Sequence, residues 1–301
     1  MTTLALVLVQ VMFASLAVVG RLVLPVVPAG VLVTFRILGA ATALLAFNAM
    51  RGGPWLSDRR VLGRIALAGL LGVTANQSLF LFGLRHTTAV NATILVTTVP
   101  VFTVLGSLLA GLERPSPLKL TGIVLAAAGA LVLVDPARLT LGRGEALGNL
   151  LILLGMTCYA AYFLVSKPIV TRYDPVTVSA YVMLFAAIGV LPIGVPSLWR
   201  ADLSGVPSTT WWLVIYVVVF PTIFTYFLNL WALRRVSSGT VATFIYLQPL
   251  FAALTSPWVL GEAVGARTIL AGAIIFTGLG LVILAERLRQ ESIPMEALPG
   301  E

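Results

Sequence analysis

The sequence is short of the groups that most chemistry needs. Of its 301 residues only 10% are charged, one is a cysteine and one a histidine. The lone Cys158 excludes an internal disulfide and any cysteine-based metal cluster. It sits in an apolar run, where a small buried side chain is the ordinary role. His86 stands beside Arg85 at an expected helix end, a place for a cap or surface group rather than a ligand. No HExxH, GxSxG or Walker-type pattern occurs, so nothing assembles a metal site, a nucleophile or a phosphate cradle. No metal and no cofactor are expected. Polar surface is scarce as well. With 59% hydrophobic residues and a mean hydropathy of +1.04, the chain cannot cover a water-soluble globule, and the bilayer is its expected solvent. The net charge of +8 does not point to nucleic acid, since no basic patch is interleaved with aromatics.

What is present is length of apolar run. A helix needs about 20 mostly apolar residues to cross a hydrocarbon core of about 30 Å. Ten segments qualify: 3–24, 30–50, 61–83, 89–112, 118–134, 146–166, 176–197, 210–232, 239–260 and 267–285. Short connections rich in Pro, Gly, Ser and Arg, such as "RGGPWLSDRR" and "ERPSP", leave no room for a soluble domain. The first segment begins at Thr3 without a basic leader, and no A-x-A-like site follows, so it is read as a retained helix. Residues 287–301 form a polar tail.

Lys and Arg set the orientation. With a cytoplasmic N-terminus, the inner loops and tail hold Arg51, Arg59, Arg60, Arg64, Arg114, Lys119, Lys167, Arg172, Arg234, Arg235, Arg287 and Arg289. The outer loops then hold only Arg21, Arg85, Arg138, Arg143, Arg200 and Arg267. The bias places both termini inside. Trp199, Trp211, Trp212, Trp231 and Trp258 fall near span ends, where amphipathic rings anchor to the interface.

The chain also repeats itself. At an offset of 149 residues, "LVTTVPVFTVLGSLLAGLE" (95–113) lies over "FIYLQPLFAALTSPWVLGE" (244–262) without a gap. Arg85 then meets Arg234, Pro100 meets Pro249, Phe102 meets Phe251, Ser107 meets Ser256, Glu113 meets Glu262 and Gly129 meets Gly278. The first two spans of each half pair only after insertions, with Arg36 opposite Met183. Five spans per half is an odd number, so the second half enters the membrane from the opposite side. The expected fold is therefore all-α and integral to the membrane, with ten transmembrane helices as two inverted five-helix repeats. Such inverted repeats characterise secondary transporters.

Ten spans, two five-helix repeats, a stretch from proline to glutamate closing the fourth span of each (Pro100 to Glu113, Pro249 to Glu262) and a Gly-containing fifth span resemble the drug/metabolite transporter superfamily with EamA repeats. Within it the chain is most similar to the YddG-type exporters of aromatic and other neutral amino acids. The resemblance covers nearly the whole chain. It implies a first EamA repeat over 1–135, a second over 136–286, and ten helices around a central cavity open alternately to each side. It also implies export of amino acids from the cytoplasm across a bacterial inner membrane.

Site candidates follow from depth and helical phase. Pro100 and Pro249 lie near mid-span, where a missing N–H should free the carbonyls of Val96 and Ile245 and mark a bend. On neighbouring faces stand Gln10, Asn76, Gln77, Thr97, Tyr159, Tyr162, Tyr226, Asn229, Tyr246 and Gln248, all uncharged donors, acceptors or rings. Each has a plainer role: hydroxyls bond their own helix backbone, amides join helices, tyrosines fill space. Gln248 faces Val99 in the repeat, so it belongs to one half alone, as an interhelical contact or a selector of cargo. Arg36, six residues into its span, is read as snorkelling or bonding carbonyls rather than holding an anion. Glu113 and Glu262 are read as structural, each set against the N-terminus of the helix that follows it.

No Asp or Glu is evident at mid-membrane, which disfavours a carboxylate proton relay. The expectation is a transporter of small neutral metabolites whose partners are a small-molecule substrate and the lipid bilayer. Nothing requires more than a monomer. A drug or nucleotide-sugar carrier of the same superfamily remains an alternative, as does a channel or an integral-membrane enzyme. The enzyme would need a nucleophile, a metal or an acid–base set that is not seen.

Overall fold

The computed structural model describes residues 1–87, 89–113, 116–134, 145–251, 254 and 266–291, and among these there is no strand. The first half runs through α1 (Thr2–Val23), α2 (Ala29–Met50), α3 (Arg59–Gly69), a π-helical turn (Leu70–Ala75), α4 (Asn76–Leu84), α5 (Ala89–Val96), α6 (Val99–Leu109) and α7 (Pro117–Val134). The second runs through α8 (Ala146–Val170), α9 (Pro175–Arg200), α10 (Ser208–Val218), a π-helical turn (Val219–Phe224), α11 (Thr225–Arg235) and α12 (Ser238–Thr243). A 3-10 turn (Phe244–Tyr246) follows, then α13 over 247–251 and α14 (Ala266–Glu291).

Among the described residues seven stretches are long and apolar enough to span a bilayer: Ala29–Met50, Arg59–Leu84, Asn91–Leu109, Ala146–Val170, Pro175–Arg200, Ser208–Arg235 and Thr268–Arg289. Thr2–Leu16 and Pro117–Val132 are shorter apolar helices. The remaining expected span, 239–260, is interrupted by the 3-10 turn, and beyond 251 only residue 254 of it is described. Glu262 and Trp258 lie outside the described residues.

Local chemistry sets the helix ends. Asp174 caps α9, its carboxylate accepting the Thr177 N–H at 3.0 Å with Pro175 in the first turn. Ser237 caps α12 through the Thr240 N–H. Gly52 (φ +66°) and Gly111 (φ +65°) follow α2 and α6 in the left-handed conformation that only glycine adopts freely.

Long-range packing joins one half to the other. α2 lies on α9, α7 on α14, and α6 on α12, while α8 packs along α3–α4 and α1 along α10–α11. The α7–α14 contact is reciprocal. A Cβ on Gly129 would meet Ile275 N at 2.9 Å and Ala271 O at 3.0 Å; one on Gly278 would meet Ala126 N at 2.5 Å and Gly122 O at 2.6 Å. Each of these pairs maps onto the other by the 149-residue offset. Small residues let the two backbones touch, which is how helices associate where burial from water contributes nothing. The two π-helical turns also coincide under that offset, Leu70–Ala75 with Val219–Phe224.

The outside of the bundle is apolar: Leu109, Val124, Trp212 and Ile269 are exposed, whereas Gln10, Arg36, Asn91 and Asn229 are buried. This inverts the arrangement of a water-soluble protein and suits a lipid solvent.

Candidate functional site

The fourth span does not bend at its proline but breaks before it. α5 ends at Val96, the N–H groups of Thr97 and Thr98 reach back only three residues, to Ile94 O and Leu95 O at 3.1 Å, and α6 restarts at Val99. Pro100 therefore stands in a first helical turn, where its missing N–H costs nothing. The second half does likewise, with its 3-10 turn at Phe244–Tyr246 and Pro249 in the first turn of α13. The simple proline kink expected from sequence is thus replaced in both halves by a tightened turn just upstream. Tightened turns shorten the hydrogen-bond register and are common connectors at hinges.

Beside these breaks lies a cavity of 160 Å³ lined by Phe13, Asn76, Gln77, Phe80, Val96, Val99, Met156, Tyr159, Tyr226, Ile245 and Gln248. Five of the sequence candidates line it: Asn76, Gln77, Tyr159, Tyr226 and Gln248. Gln10 joins them indirectly, accepting the Gln248 Nε2 proton at 2.8 Å and so tying α1 to α13. Gln248 is at once an interhelical contact and a cavity residue. Asn76 is anchored through Nδ2 to Gly155 O at 2.9 Å.

Gln77 and Tyr226 are partners under the 149-residue offset, and they touch: Gln77 Nε2 donates to Tyr226 Oη at 3.4 Å. Tyr226 Oη in turn donates to Gly72 O in the first π-helical turn, at 3.3 Å. Tyr162 does not line the cavity but backs it. Its ring lies parallel to Tyr159 at 5.8 Å and edge-on to Tyr226 at 6.2 Å, where only a glycine at 72 leaves it room.

The other candidates stand apart from the lining. Thr97 Oγ1 donates to Ile94 O at 2.6 Å, so its hydroxyl serves the helix break. Tyr246 is fully buried in the 3-10 turn, and Asn229 is buried on α11. Sequence reasoning did not single out Phe13 or Met156. Arg36, read as snorkelling or bonding carbonyls, does not snorkel. The side chain is buried, with Nε donating to Thr222 Oγ1 at 3.0 Å and Nη1 to Gln77 Oε1 at 3.4 Å.

A second cluster lies at one end of the bundle. Glu113 holds the Lys119 ammonium and accepts the Gly239 N–H at 3.0 Å, while Lys119 Nζ also donates to Ser237 Oγ at 2.6 Å. Glu286 accepts from Ser237 Oγ at 2.9 Å and Thr240 Oγ1 at 2.8 Å, and Lys119 is 4.0 Å away. Lys167 adds bonds to Leu233 O at 2.6 Å and Val236 O at 2.8 Å. Glu113 is structural, as expected, but its N–H partner is on α12, not on the helix that follows it. Burial alone would push the Glu113 carboxyl up. Lys119 and the Gly239 N–H more than offset this and hold it below its ordinary value. A larger recess of 430 Å³ opens at the same end, bounded by Met1, Thr2, Arg235, Glu286 and Arg287. It brings together the two ends of the described chain and is rimmed by charge, so the neutral cavity between the helix breaks is the better candidate for a transport site.

The EamA-like transporter family matches the chain twice, over residues 1–135 and 146–284. The chain belongs to the EamA-like transporter family. Relatives of this EamA protein are named transporters. An uncharacterized transporter of Archaeoglobus fulgidus is 28% identical over 82% of this chain and 85% of its own. The inner membrane transporter YedA of Escherichia coli is 28% identical over 87% of this chain and 80% of its own. A probable terminal-alkyne amino-acid exporter of Streptantibioticus cattleyicolor is 27% identical over 81% of both chains. A solved crystal structure shares the fold, with a TM-score of 0.78 at 18% identity over 95% of this chain and 98% of that one. The EamA chain is an integral membrane transporter.

Proposed function

We propose that this EamA protein is a ten-span secondary transporter of small neutral metabolites, with aromatic and other neutral amino acids as cargo and export as direction. The observation that carries the proposal is the cavity between the two helix breaks, lined by rings and by uncharged amides and hydroxyls. Its 160 Å³ is close to the ~150 Å³ that accommodates a benzene-sized ring and below the ~300–1,000 Å³ of pockets for larger ligands. That size favours an amino-acid side chain over a nucleotide sugar. The reciprocal α7–α14 contacts, the matching π-helical turns and the Gln77–Tyr226 contact all support two inverted repeats. The named function of the Streptantibioticus relative and the YddG-type resemblance support amino acids.

Alternating access would exchange the conformations of the two halves around Gln77 and Tyr226, with the broken spans at Pro100 and Pro249 as flexing points. The distribution of Lys and Arg supports cytoplasmic termini in a bacterial inner membrane. The charged cluster then closes the inner end. Purified protein in liposomes, loaded with a panel of neutral amino acids, should give saturable counterflow. Exchange of some other metabolite while every amino acid fails would overturn the cargo. Flux that does not saturate would replace the carrier by a channel, and repeating the assay across a pH gradient tests proton coupling.

A further inference from the structure

Arg36 is a buried cation without a buried anion. Among the described residues the ion pairs are Arg51–Asp174, Lys119–Glu113 and Lys119–Glu286, and none involves Arg36. The residue is 6% exposed, eight residues into α2, in a bundle whose outside is apolar. An uncompensated charge there is expensive, and the other buried cation among the described residues, Lys119, is paired with Glu113.

Two of its three nitrogens are accounted for, and unequally. Nε is fixed at 3.0 Å by Thr222, whose own proton goes to Val217 O at 2.8 Å inside the second π-helical turn. This sets the plane of the guanidinium. Nη1 has only the Gln77 amide oxygen at 3.4 Å, and Nη2 is enclosed with no hydrogen-bond partner among the described residues. Gln77 is held as loosely on its other side, at 3.4 Å from Tyr226 Oη. Both distances are at the weak end of the hydrogen-bond range. Gln77 also lines the cavity, so it is the only described side chain that both bonds Arg36 and faces the candidate site.

We infer that Arg36 is a carboxylate anchor for cargo and that Gln77 occupies its place as a displaceable cover. A carboxylate entering the cavity displaces the Gln77 amide oxygen and takes Nη1 and Nη2 end-on, the two-point geometry that guanidinium groups offer planar anions. This satisfies the orphaned Nη2 and neutralises the buried charge together. An amino-acid zwitterion brings a carboxylate while remaining neutral overall, and its ammonium would meet neutral oxygens and the faces of Tyr159 and Tyr226. The inference deepens the amino-acid reading and rests on the same cavity.

The test varies ligand and protein separately. Counterflow by the reconstituted full chain is measured with phenylalanine, phenylalaninamide, phenethylamine and 3-phenylpropionate. The expected result is that the amide and the amine lose at least ~10-fold in half-saturating concentration against phenylalanine, the scale of one charge-assisted hydrogen bond. In Arg36→Gln that preference should collapse to within about twofold, whereas Arg36→Lys keeps a weakened preference because a point charge remains. Should Arg36→Gln fail to accumulate, the ligand series on the natural chain together with Arg36→Lys carries the test. A natural chain that exchanges the amide as well as the acid, or an Arg36→Gln variant that keeps the full preference, overturns the inference. So does failure of every carboxylate. Exchange of 3-phenylpropionate with no amino acid would leave the anchor standing and remove the amino-acid reading.

Discussion

The cavity between the helix breaks and the charged cluster at the bundle end are built from the same helices in opposite ways. The residues that line the cavity are neutral, and the bonds Gln77 makes to Tyr226 and to the buried Arg36 behind it are long, at 3.4 Å. At the end they are charged and close. The side-chain bonds joining Lys119, Ser237, Thr240 and Glu286 are 2.6–2.9 Å, and Glu113, just beyond α6, accepts the Gly239 N–H at 3.0 Å, so that α7, α12 and α14 are tied together. Weak, replaceable bonds suit a place where a ligand must compete with the protein for partners. Strong, mutually satisfied ones suit a place where helices are held.

The largest effect should come from breaking that contrast at its strong pole. Lys119→Met leaves Glu113 and Glu286 buried without their cation. Removing one partner of a buried charge set costs about 3–5 kcal/mol, so the variant should unfold at a markedly lower temperature in detergent. The pH dependence should change as well. The Glu113 carboxyl is depressed in the folded protein, so its contribution is present above the ordinary value of 4.5 and is lost as pH falls through the lower folded value. In Lys119→Met the carboxyl loses its main source of depression, and acid unfolding should begin at higher pH. A melting curve unchanged by the substitution would show that the cluster does not hold the helices.

A smaller effect should come from crowding the weak pole. A Cβ on Gly72 would lie 2.3 Å from Tyr162 Cγ, so Gly72→Ala must displace the ring that backs Tyr159 and Tyr226. Overpacking of this kind costs about 1–3 kcal/mol. Counterflow should fall by more than protein abundance does, because the displaced ring moves toward the cavity. Pro100→Ala should act on motion instead. It restores an N–H in the first turn of α6, allows the break at Thr97–Thr98 to heal into continuous helix, and should alter exchange rate while stability stays within about 1 kcal/mol. Equal exchange rates for the variant and the natural chain would remove the break from the transport cycle.

What could be read from sequence divides along similar lines. Span length and the 149-residue offset depend on composition and order alone, so the helical architecture and the pairing of Pro100 with Pro249 were visible. Asn76, Gln77, Tyr159, Tyr226 and Gln248 could be placed together because depth in the membrane and helical phase nearly determine which faces converge. Partners across helices were not visible. Lys119 meets Ser237 across 118 residues, and Arg36 meets Thr222 across 186, through helix packing that no spacing rule reports. The position of the helix breaks was also hidden. A proline signals a missing N–H, but whether the chain bends there or tightens a turn upstream depends on neighbours such as Thr97 and Thr98, whose hydroxyls bond back three residues to Ile94 O and Leu95 O.

The smallest effect should separate the two halves of the molecule. Gln248 stands where the first half has Val99, and its bond to Gln10 joins α13 to α1. Gln248→Val makes the second half resemble the first at that point. An interhelical amide bond inside a membrane bundle is worth about 0.6 kcal/mol on average, so stability should barely move. The Gln10 amide oxygen, however, loses that partner, and one polar group is removed from the lining. Half-saturating concentrations should therefore shift between polar and apolar amino acids more than the melting temperature shifts. If both stay where they were, Gln248 is neither selector nor contact of consequence, and the difference between the two halves at this position is neutral.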